Sequence, residues 1–467
     1  MSIPSETGET ALPGDNLRGL SDRGLAALGF IQRHTGIHCH VLGHICGRLR
    51  KRRFIDIALG TLTVWLILGF MGLHFDLFGI GRTMDLYSEL IINRVMSPFY
   101  DSEAQGKIAV VLIDEDTLDA AEMGWPPSYD YYSQVVYRIL RHNPKALFVD
   151  ILLERERPAA RDSLPSARQD LEEYAEDFSI PIFFAQSSPG EKNLFSGIPG
   201  VETAITGWNG NDYPLIVPVD SGKPDGKASQ TVAMKLYQLD APDTFNDVKV
   251  QDSPSLVVQW GNAVPALTRD KDLLPGSTYV FTDPTYLERW IKAFKLLKYS
   301  IFHGLNEDVF DVNRQQCPYT ITMQAQDLAD PDKRGMLEGK MVLLGANVDG
   351  VNDQVETPVH GLLPGVFQHA MALDNLMKYG SAYYTRPPFQ AWIFISLAFV
   401  MSFFSSYLMV EREIRGLRVQ VIAAAVVLIV CTVLYFVFRF APQNWIGLLL
   451  VCSLANKLQS ESKTPIG

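Results

Sequence analysis

Residues 107–154 read KIAVVLIDEDTLDAAEMGWPPSYDYYSQVVYRILRHNPKALFVDILLE, and this stretch decides the fold class. Two aliphatic runs, 108–113 and 146–149, each end in an aspartate, and continuous apolar runs of this length are typical of strands buried on both faces. Between them, 129–142 carries apolar residues at helical spacing and is closed by Pro144. Because a strand, a helix and a strand follow in this order, we expect a right-handed crossover and a parallel sheet.

The same alternation continues along the chain. The pattern predicts helices at 167–178, 228–239 and 364–377, and strands at 181–184, 255–259, 320–323 and 341–344. Residues 263–315 read irregularly, with 290–297 as the convincing helical piece, and predict an insertion or peripheral lobe. The fold class that we predict is therefore an α/β extracytoplasmic domain with a mainly parallel sheet, plus a helical transmembrane region of three to four spans.

Apolar segments on both sides of this domain predict the spans. The first of them, 57–73, reads IALGTLTVWLILGFMGL without a charge and approaches the roughly 20 apolar residues that a bilayer helix needs. The predicted organisation is a cytoplasmic N-terminal region with a basic amphipathic helix (1–53), span one (54–80), the extracytoplasmic domain (81–388), span two (389–411), span three (418–439), a fourth apolar segment that spans if Trp445 lies at the interface (441–458), and a short tail (459–467).

Basic residues set the expected orientation. A run at 48–53 precedes the first span and a second group at 412–418 links the next two, and both belong on the cytoplasmic side. The large domain is then periplasmic or extracellular, and the chain is a multi-pass protein of a bacterial inner membrane with a cytoplasmic N-terminus. A cleaved signal peptide is not expected, because the apolar segment starts more than fifty residues into the chain.

Composition limits the classes of molecule that are expected as partners. The chain has 47% hydrophobic and 20% charged residues and a net charge of -11, which argues against nucleic acid as a partner. The basic run before the first span is expected to meet anionic lipid. Cys317 is the one cysteine in the outer domain, so a disulfide within a single outer domain is excluded.

Two blocks carry a resemblance to a known family. Residues 107–154 and the stretch LEGKMVLLGANVDGVNDQVETPVHGLLPGVFQHAMALDNLM at 337–377 resemble the opening and closing parts of the CHASE domain of the second type. The resemblance implies an extracytoplasmic sensor of the sort found on bacterial cyclases, histidine kinases and other signalling proteins, usually followed by three spans and an effector. It also implies a possible homodimer. One departure is that such domains often show Trp-Pro-x-Pro-Arg, whereas this chain has Trp125, Pro126, Pro127 and Ser128 and lacks the arginine of that motif.

The expected function is that of a membrane-anchored sensor that passes a ligand or envelope signal to a separate partner of the kinase or cyclase class, because only a short tail follows the last apolar segment. Two alternatives stay open: a structural or scaffold subunit of a membrane or envelope complex, and a truncated remnant that does not signal. An enzyme is not expected, since the sequence has no Gly-x-Ser-x-Gly elbow, no His-Glu-x-x-His and no P-loop. No cofactor is expected.

Candidate ligand-binding residues lie where strands of an open α/β sheet end, because ligands bind at the carboxyl ends of such strands. These candidates are Asp114, Asp116, Trp125, Asp150, Asn347, Asp349 and Asp353. The side-chain oxygen atoms of the aspartates and of Asn347 suit a divalent cation or a cationic small molecule. The alternative is that the acidic residues cap helices and order loops, and that Trp125 packs against the domain.

Histidines form two further groups. The first is cytoplasmic and shows the i, i+4 spacing of metal-binding pairs, so a metal site there competes with an interfacial amphipathic helix. Its metal-ligand candidates are His34, His38, His40 and His44. In the outer domain His360 and His369 suggest a protonation switch. With no carboxylate partner evident in the sequence, we expect both to be surface or helix-start residues.

Overall fold

The computed structural model describes residues 80–453, with gaps at 102, 158–162, 192, 209–211, 218–228, 243–253, 263–283, 304–318, 334, 352, 387–388, 390–391, 394–395, 398, 402, 405–415 and 452. The predicted N-terminal region, its histidine group and almost all of span one lie outside the described residues, as do parts of spans two and four. The chain divides into two compact units, residues 93–385 and the remainder.

Twelve strands are present among the described residues. They are β1 (Ile108–Asp114), β2 (Ala146–Val149), β3 (Ile182–Gln186), β4 (Val201–Ile205), β5 (Asp212–Tyr213), β6 (Ile216–Val217), β7 (Ser229–Gln230), β8 (Leu256–Val257), β9 (Ile321–Gln324), β10 (Met341–Asn347), β11 (Gln354–Thr357) and β12 (Gly361–Pro364). Six of them form one sheet in the order β4-β3-β2-β10-β1-β9, and every pair within it is parallel. The predicted α/β class with a mainly parallel sheet is confirmed.

Helices connect and cover these strands. They are α1 (Ile80–Met96), α2 (Glu115–Ala120), α3 (Tyr129–Leu140), α4 (Leu164–Phe178), α5 (Val232–Asp240), α6 (Tyr286–His303), α7 (Val366–Tyr379) and α8 (Gly416–Phe438), with 3₁₀ turns at Ser97–Phe99, Glu103–Lys107, Ala325–Ala329 and Pro331–Lys333. Local sequence explains where α3 begins: the Ser128 hydroxyl accepts a hydrogen bond from the Tyr131 amide at 3.2 Å and caps the helix.

The sheet is buried on both faces, as the aliphatic runs predict. Successive side chains of β1 point to opposite faces, so Ile108 and Val110 enter one core while Ala109 and Val111 enter the other. Helices α5 and α7 cover the first face and α3 and α4 cover the second. The result is a doubly wound layer structure, in which the strand ends are the places left for polar chemistry.

Helix α7 is buried along most of its length. All residues from Val366 to Leu376 are inaccessible to solvent, including four polar ones: Gln368, His369, Asp374 and Asn375. Its first turn lies tightly against β10, because a Cβ atom added to Gly345 would be 2.6 Å from the Cβ of Val366. A glycine is therefore required at 345 for this approach of helix to strand.

The second unit contains one helix that is long and apolar enough to cross a membrane, Gln420–Phe438, with a mean hydropathy of 3.0. This segment corresponds to the predicted third span. It is the single such helix among the described residues. In the same unit the Trp445 indole nitrogen donates to the carbonyl oxygen of Ser88 at 2.9 Å, and the Asn444 amide donates to the Asp85 carboxylate at 3.2 Å.

Candidate functional site

The carboxyl ends of the central strands gather the predicted acidic residues, with different roles. Asp114 ends β1 and pairs in register with Asn347 at the end of β10. One Asp114 carboxylate oxygen accepts hydrogen bonds from the Thr117 amide at 2.9 Å and the Thr117 hydroxyl at 2.5 Å. Asp114 is therefore the N-cap of α2, in agreement with the capping alternative.

Three other candidate ligand-binding residues lie on the surface of the domain. Asp116, Asn347 and Asp349 are all exposed, and the Asp349 amide lies 3.4 Å from the Glu115 carboxylate. Trp125 is half-buried and packs against the core between the sheet and α3, as the packing alternative predicts. Among the described residues no group of three or more His, Cys, Asp or Glu side chains is placed to hold a metal ion.

Asp150, by contrast, enters a buried polar centre. It follows β2 directly, and its amide donates to the Leu344 carbonyl of β10 at 2.7 Å, which fixes the backbone in the middle of the sheet. Its carboxylate Oδ2 lies 3.6 Å from the Nε2 of His369 on α7. The two side chains are only 8% and 2% exposed, so the pair is shielded from water.

The other imidazole nitrogen of His369 has a partner as well. Its Nδ1 lies 2.7 Å from the hydroxyl of Tyr213, and that hydroxyl accepts a hydrogen bond from the Ala233 amide at 3.3 Å. The Tyr213 proton is then directed to Nδ1, which leaves a proton on Nε2 facing Asp150. Tyr213 is thus hydrogen-bonded to His369, and Asp150 lies beside the other imidazole nitrogen, so the three side chains run in a line from the end of β2 to β5.

Asp353 completes this acid–imidazole cluster, the name used below for Asp150, Asp353, His369 and Tyr213. The Asp353 carbonyl accepts from the Gly365 amide at 2.8 Å, just before α7. A Cβ on Gly365 would lie 2.2 Å from the Asp353 Oδ1, so the absence of a side chain there makes room for the carboxyl group. Two carboxyl groups and one imidazole are in this way brought to the start of one buried helix.

Burial controls the protonation of the cluster. It raises the pKa of Asp150 well above the usual value, and the nearby charge of Asp353 raises it further. Burial also raises the pKa of Asp353 and lowers the pKa of His369 to about 3. Each shift disfavours the charged form, because little solvent reaches these atoms. The cluster therefore favours the neutral forms of its side chains.

Sequence reasoning placed His369 at a helix start, which is confirmed, but found no carboxylate partner for it. We expected a surface or helix-start residue without a carboxylate partner, whereas the ring is buried with Asp150 beside it. The usable signal was the helix around it: 366–376 is apolar on every side, so the few polar residues in it must find buried partners. His360 is half-buried, and its Nε2 lies 2.8 Å from the Gly261 carbonyl.

A second polar centre lies one to two turns further along α7. It is called the tyrosine–amide cluster below and consists of Tyr100, Gln259, Tyr319, Asp374 and Asn375. The Tyr100 hydroxyl donates to the Asp374 Oδ2 at 2.5 Å, and the Tyr319 hydroxyl lies 3.4 Å from the same oxygen. The Asn375 amide group meets both the N–H and the carbonyl of Gln259 at 2.9 Å.

Comparison with known proteins places the chain in a family. A family model described as the CHASE2 domain matches residues 57–410. This range covers most of the 467 residues, and the chain belongs to the CHASE2 family, whose domains are sensory extracellular domains of signalling proteins. No curated protein and no solved structure matches the chain.

Proposed function

We propose that the chain is a membrane-anchored sensor of the bacterial inner membrane, with residues 81–388 outside the cytoplasm, and that it passes a ligand or envelope signal to a separate partner of the kinase or cyclase class. Family membership supports the sensor role. The apolar helix Gln420–Phe438 supports the anchor, and we place further spans at 54–80 and 389–411, with 441–458 as a fourth.

The acid–imidazole cluster is the site at which we place the signal. The observation that carries this is the buried pair of Asp150 and His369, 3.6 Å apart at the carboxyl end of a central strand. Burial disfavours the charged forms of both groups, so a ligand or a change of envelope state that alters their solvent access or the charge beside them can shift their protonation. Helix α7 carries His369 and reports the shift to the rest of the domain.

Catalysis is not part of the proposal. The hydroxyl in the cluster belongs to Tyr213, and burial raises the pKa of that phenol, so it stays protonated and is a poor nucleophile.

The partner is identified by crosslinking the full-length protein in its native membrane, purifying it in mild detergent and analysing the captured proteins by mass spectrometry. We expect a kinase, cyclase or other signalling protein, in amounts that change in the variant Asp150→Asn. The matched control is Asp119→Asn, an exposed aspartate of α2. Homodimers of the chain, which we also propose, would appear as self-crosslinks.

Envelope or secretion components in fixed stoichiometry, equal in wild type and Asp150→Asn, would contradict the sensor and favour a scaffold. Signalling proteins captured equally from wild type and variant would support the partner class and contradict the site.

A further inference from the structure

Helix α6 presents an apolar face to solvent. Five large side chains on it are exposed, by the fractions given: Tyr286 69%, Leu287 69%, Trp290 37%, Ile291 48% and Phe294 70%. Their spacing of i, i+1, i+4, i+5 and i+8 places them on one side of the helix. Scattered exposed apolar residues are ordinary, but a contiguous row of this kind marks a surface that binds something.

A neighbouring side of α6 is fixed to the domain. Ala293 and Leu296 are buried, and Arg289 forms an ion pair with Asp101 at 2.8 Å. One edge of the apolar face, at Tyr286 and Trp290, also contacts Phe99, at centroid distances of 5.9 Å and 4.7 Å. Leu287, Ile291 and Phe294 remain 48% to 70% exposed, so the helix presents them from a defined position.

Positive charge accompanies this face. Lys295 and Lys298 are both exposed and lie beside Ile291 and Phe294 on the helix surface. The helix sequence YLERWIKAFKLLKYSIFH holds four lysines and arginines and one glutamate, in a chain whose net charge is -11. A basic, aromatic and apolar helix face of this kind is typical of helices that lie in a membrane interface.

We propose that α6 lies on the outer leaflet of the membrane that anchors the chain, with its aromatic and aliphatic side chains among the acyl-chain ends and Lys295 and Lys298 on anionic lipid headgroups. The proposal rests on the membrane anchor of the proposed function. Charge decides between occupants: a second copy packing by the same face would bring like-charged lysines together, whereas an anionic lipid surface supplies the opposite charge.

The covalent link between α6 and the predicted first span makes even weak lipid binding sufficient to keep α6 on the membrane. Phe99 contacts Trp290 of α6 and lies only nineteen residues after residue 80, where the predicted first span ends. Because Ile80–Met96 form helix α1, which rises about 1.5 Å per residue, the connection is roughly 35 Å long at most, and α6 stays within that reach of the bilayer. Linked binding of this kind acts at a high effective concentration, and a modest lipid affinity is enough to keep the helix docked.

The test uses the full-length protein in lipid nanodiscs that contain either phosphatidylcholine alone or a mixture with phosphatidylglycerol. The native cysteines are replaced by serine, and the environment-sensitive dye NBD is attached at Ile291→Cys. Leu362→Cys, at another exposed apolar position, is the matched control. We expect a blue shift and quenching by nitroxide-labelled lipid at position 291, stronger with the anionic lipid, and neither effect at 362.

Charge reversal sharpens the result. Lys295→Glu with Lys298→Glu should remove most of the anionic-lipid effect at position 291. The control pair Arg138→Glu with Arg141→Glu changes the net charge equally on exposed positions near the end of α3 and should leave the effect in place. Equal losses in both pairs would mean a general charge effect and would overturn the assignment to α6.

Three other outcomes would overturn the proposal. A blue shift that depends on protein density and is insensitive to lipid would assign the face to a second copy or another protein. A protein that enters the nanodisc but shows a water-like spectrum at 291 would contradict only the docking of α6. A chain that does not enter the bilayer at all would contradict the membrane anchor and the docking together.

Discussion

The two polar clusters on α7 differ in how completely their groups are paired. In the tyrosine–amide cluster the Asn375 side chain lies within hydrogen-bond distance of Tyr100 and of both backbone groups of Gln259. In the acid–imidazole cluster Asp150 and His369 are 3.6 Å apart, beyond a normal hydrogen bond, and a second acid opposes the charge of the first. The first arrangement fixes one structure, and the second leaves a choice between states.

This contrast separates stability from signalling. Buried networks with several hydrogen bonds make a fold rigid, whereas groups whose charged forms are disfavoured by burial respond to changes in the solvent access and charge around them. We therefore expect substitutions in the tyrosine–amide cluster to unfold the domain, and substitutions in the acid–imidazole cluster to change its dependence on pH and its signalling.

The largest effect is expected for Asn375→Ala. The substitution leaves the buried backbone N–H and carbonyl of Gln259 without their side-chain partner, which should cost about 4 kcal/mol of the free energy of unfolding. Thermal unfolding of the full-length protein in detergent measures the cost as a lower Tm. A Tm within a degree of wild type would show that the cluster is not the rigid part of the domain.

A smaller effect, confined to acidic pH, is expected for His369→Gln. The folded-state pKa of His369 is lowered from 6.5 to about 3, so the unfolded state binds the proton first and wild-type stability falls as pH drops from about 6.5 to about 3. Glutamine cannot take up the proton, and the variant should lose less stability over this interval. Tm values measured at several pH values test this.

The control for that measurement is His142→Gln. This half-buried histidine lies just after α3, which covers the face of the sheet opposite to α7. Its substitution should leave the pH dependence of Tm close to that of wild type. If both variants flatten the curve equally, the acid–imidazole cluster is not its source.

Next in size is Gly365→Ala. The new Cβ would lie 2.2 Å from the Asp353 Oδ1, so the carboxyl group must move, at a cost of about 2 kcal/mol. Gly106→Ala is the matched control, because a Cβ there meets nothing within 4 Å. We expect a lower Tm and altered signalling for the first variant alone. Equal Tm values for the two would contradict the close approach of Asp353 to α7.

The smallest effect is expected for Tyr213→Phe. The substitution removes the hydroxyl that lies between the Ala233 amide and the His369 Nδ1, which should cost about 1 kcal/mol. Because His369 then loses a partner, its protonation should also change, and the pH dependence of Tm should shift with it. A lower Tm with an unchanged pH dependence would remove Tyr213 from the cluster and leave it as core packing.

The sequence predicts the central sheet well because its strands are aliphatic runs between turn signals. The runs at 108–113 and 341–344 became β1 and β10, extended by one and three residues. The two-residue strands β5 to β8 were mostly missed, since a strand of that length has no periodicity to detect. Strand β11 and most of β12 lie between the predicted strand 341–344 and the predicted helix 364–377, where no element was predicted.

The candidate site was predicted in part, for a physical reason. The rule that parallel strands direct their ends to one edge selected Asp150 and Asp353 among the candidates, and the structure places both in the acid–imidazole cluster. The same rule could not separate them from Asp114, because an aspartate at a strand end serves equally well as a helix cap. His369 and Tyr213 come from distant parts of the chain, and nothing local in the sequence indicates that they meet.

Strand β10 has a consequence for biosynthesis. It lies between β1 and β2, and the pairing of Ile108 with Met341 joins residues 233 positions apart. Until residue 347 has been synthesised, β1 and β2 each expose an aliphatic edge that has no neighbour, and contacts so distant in sequence form slowly. We therefore expect a long-lived, aggregation-prone folding intermediate, and chains cut short before β10 to be degraded.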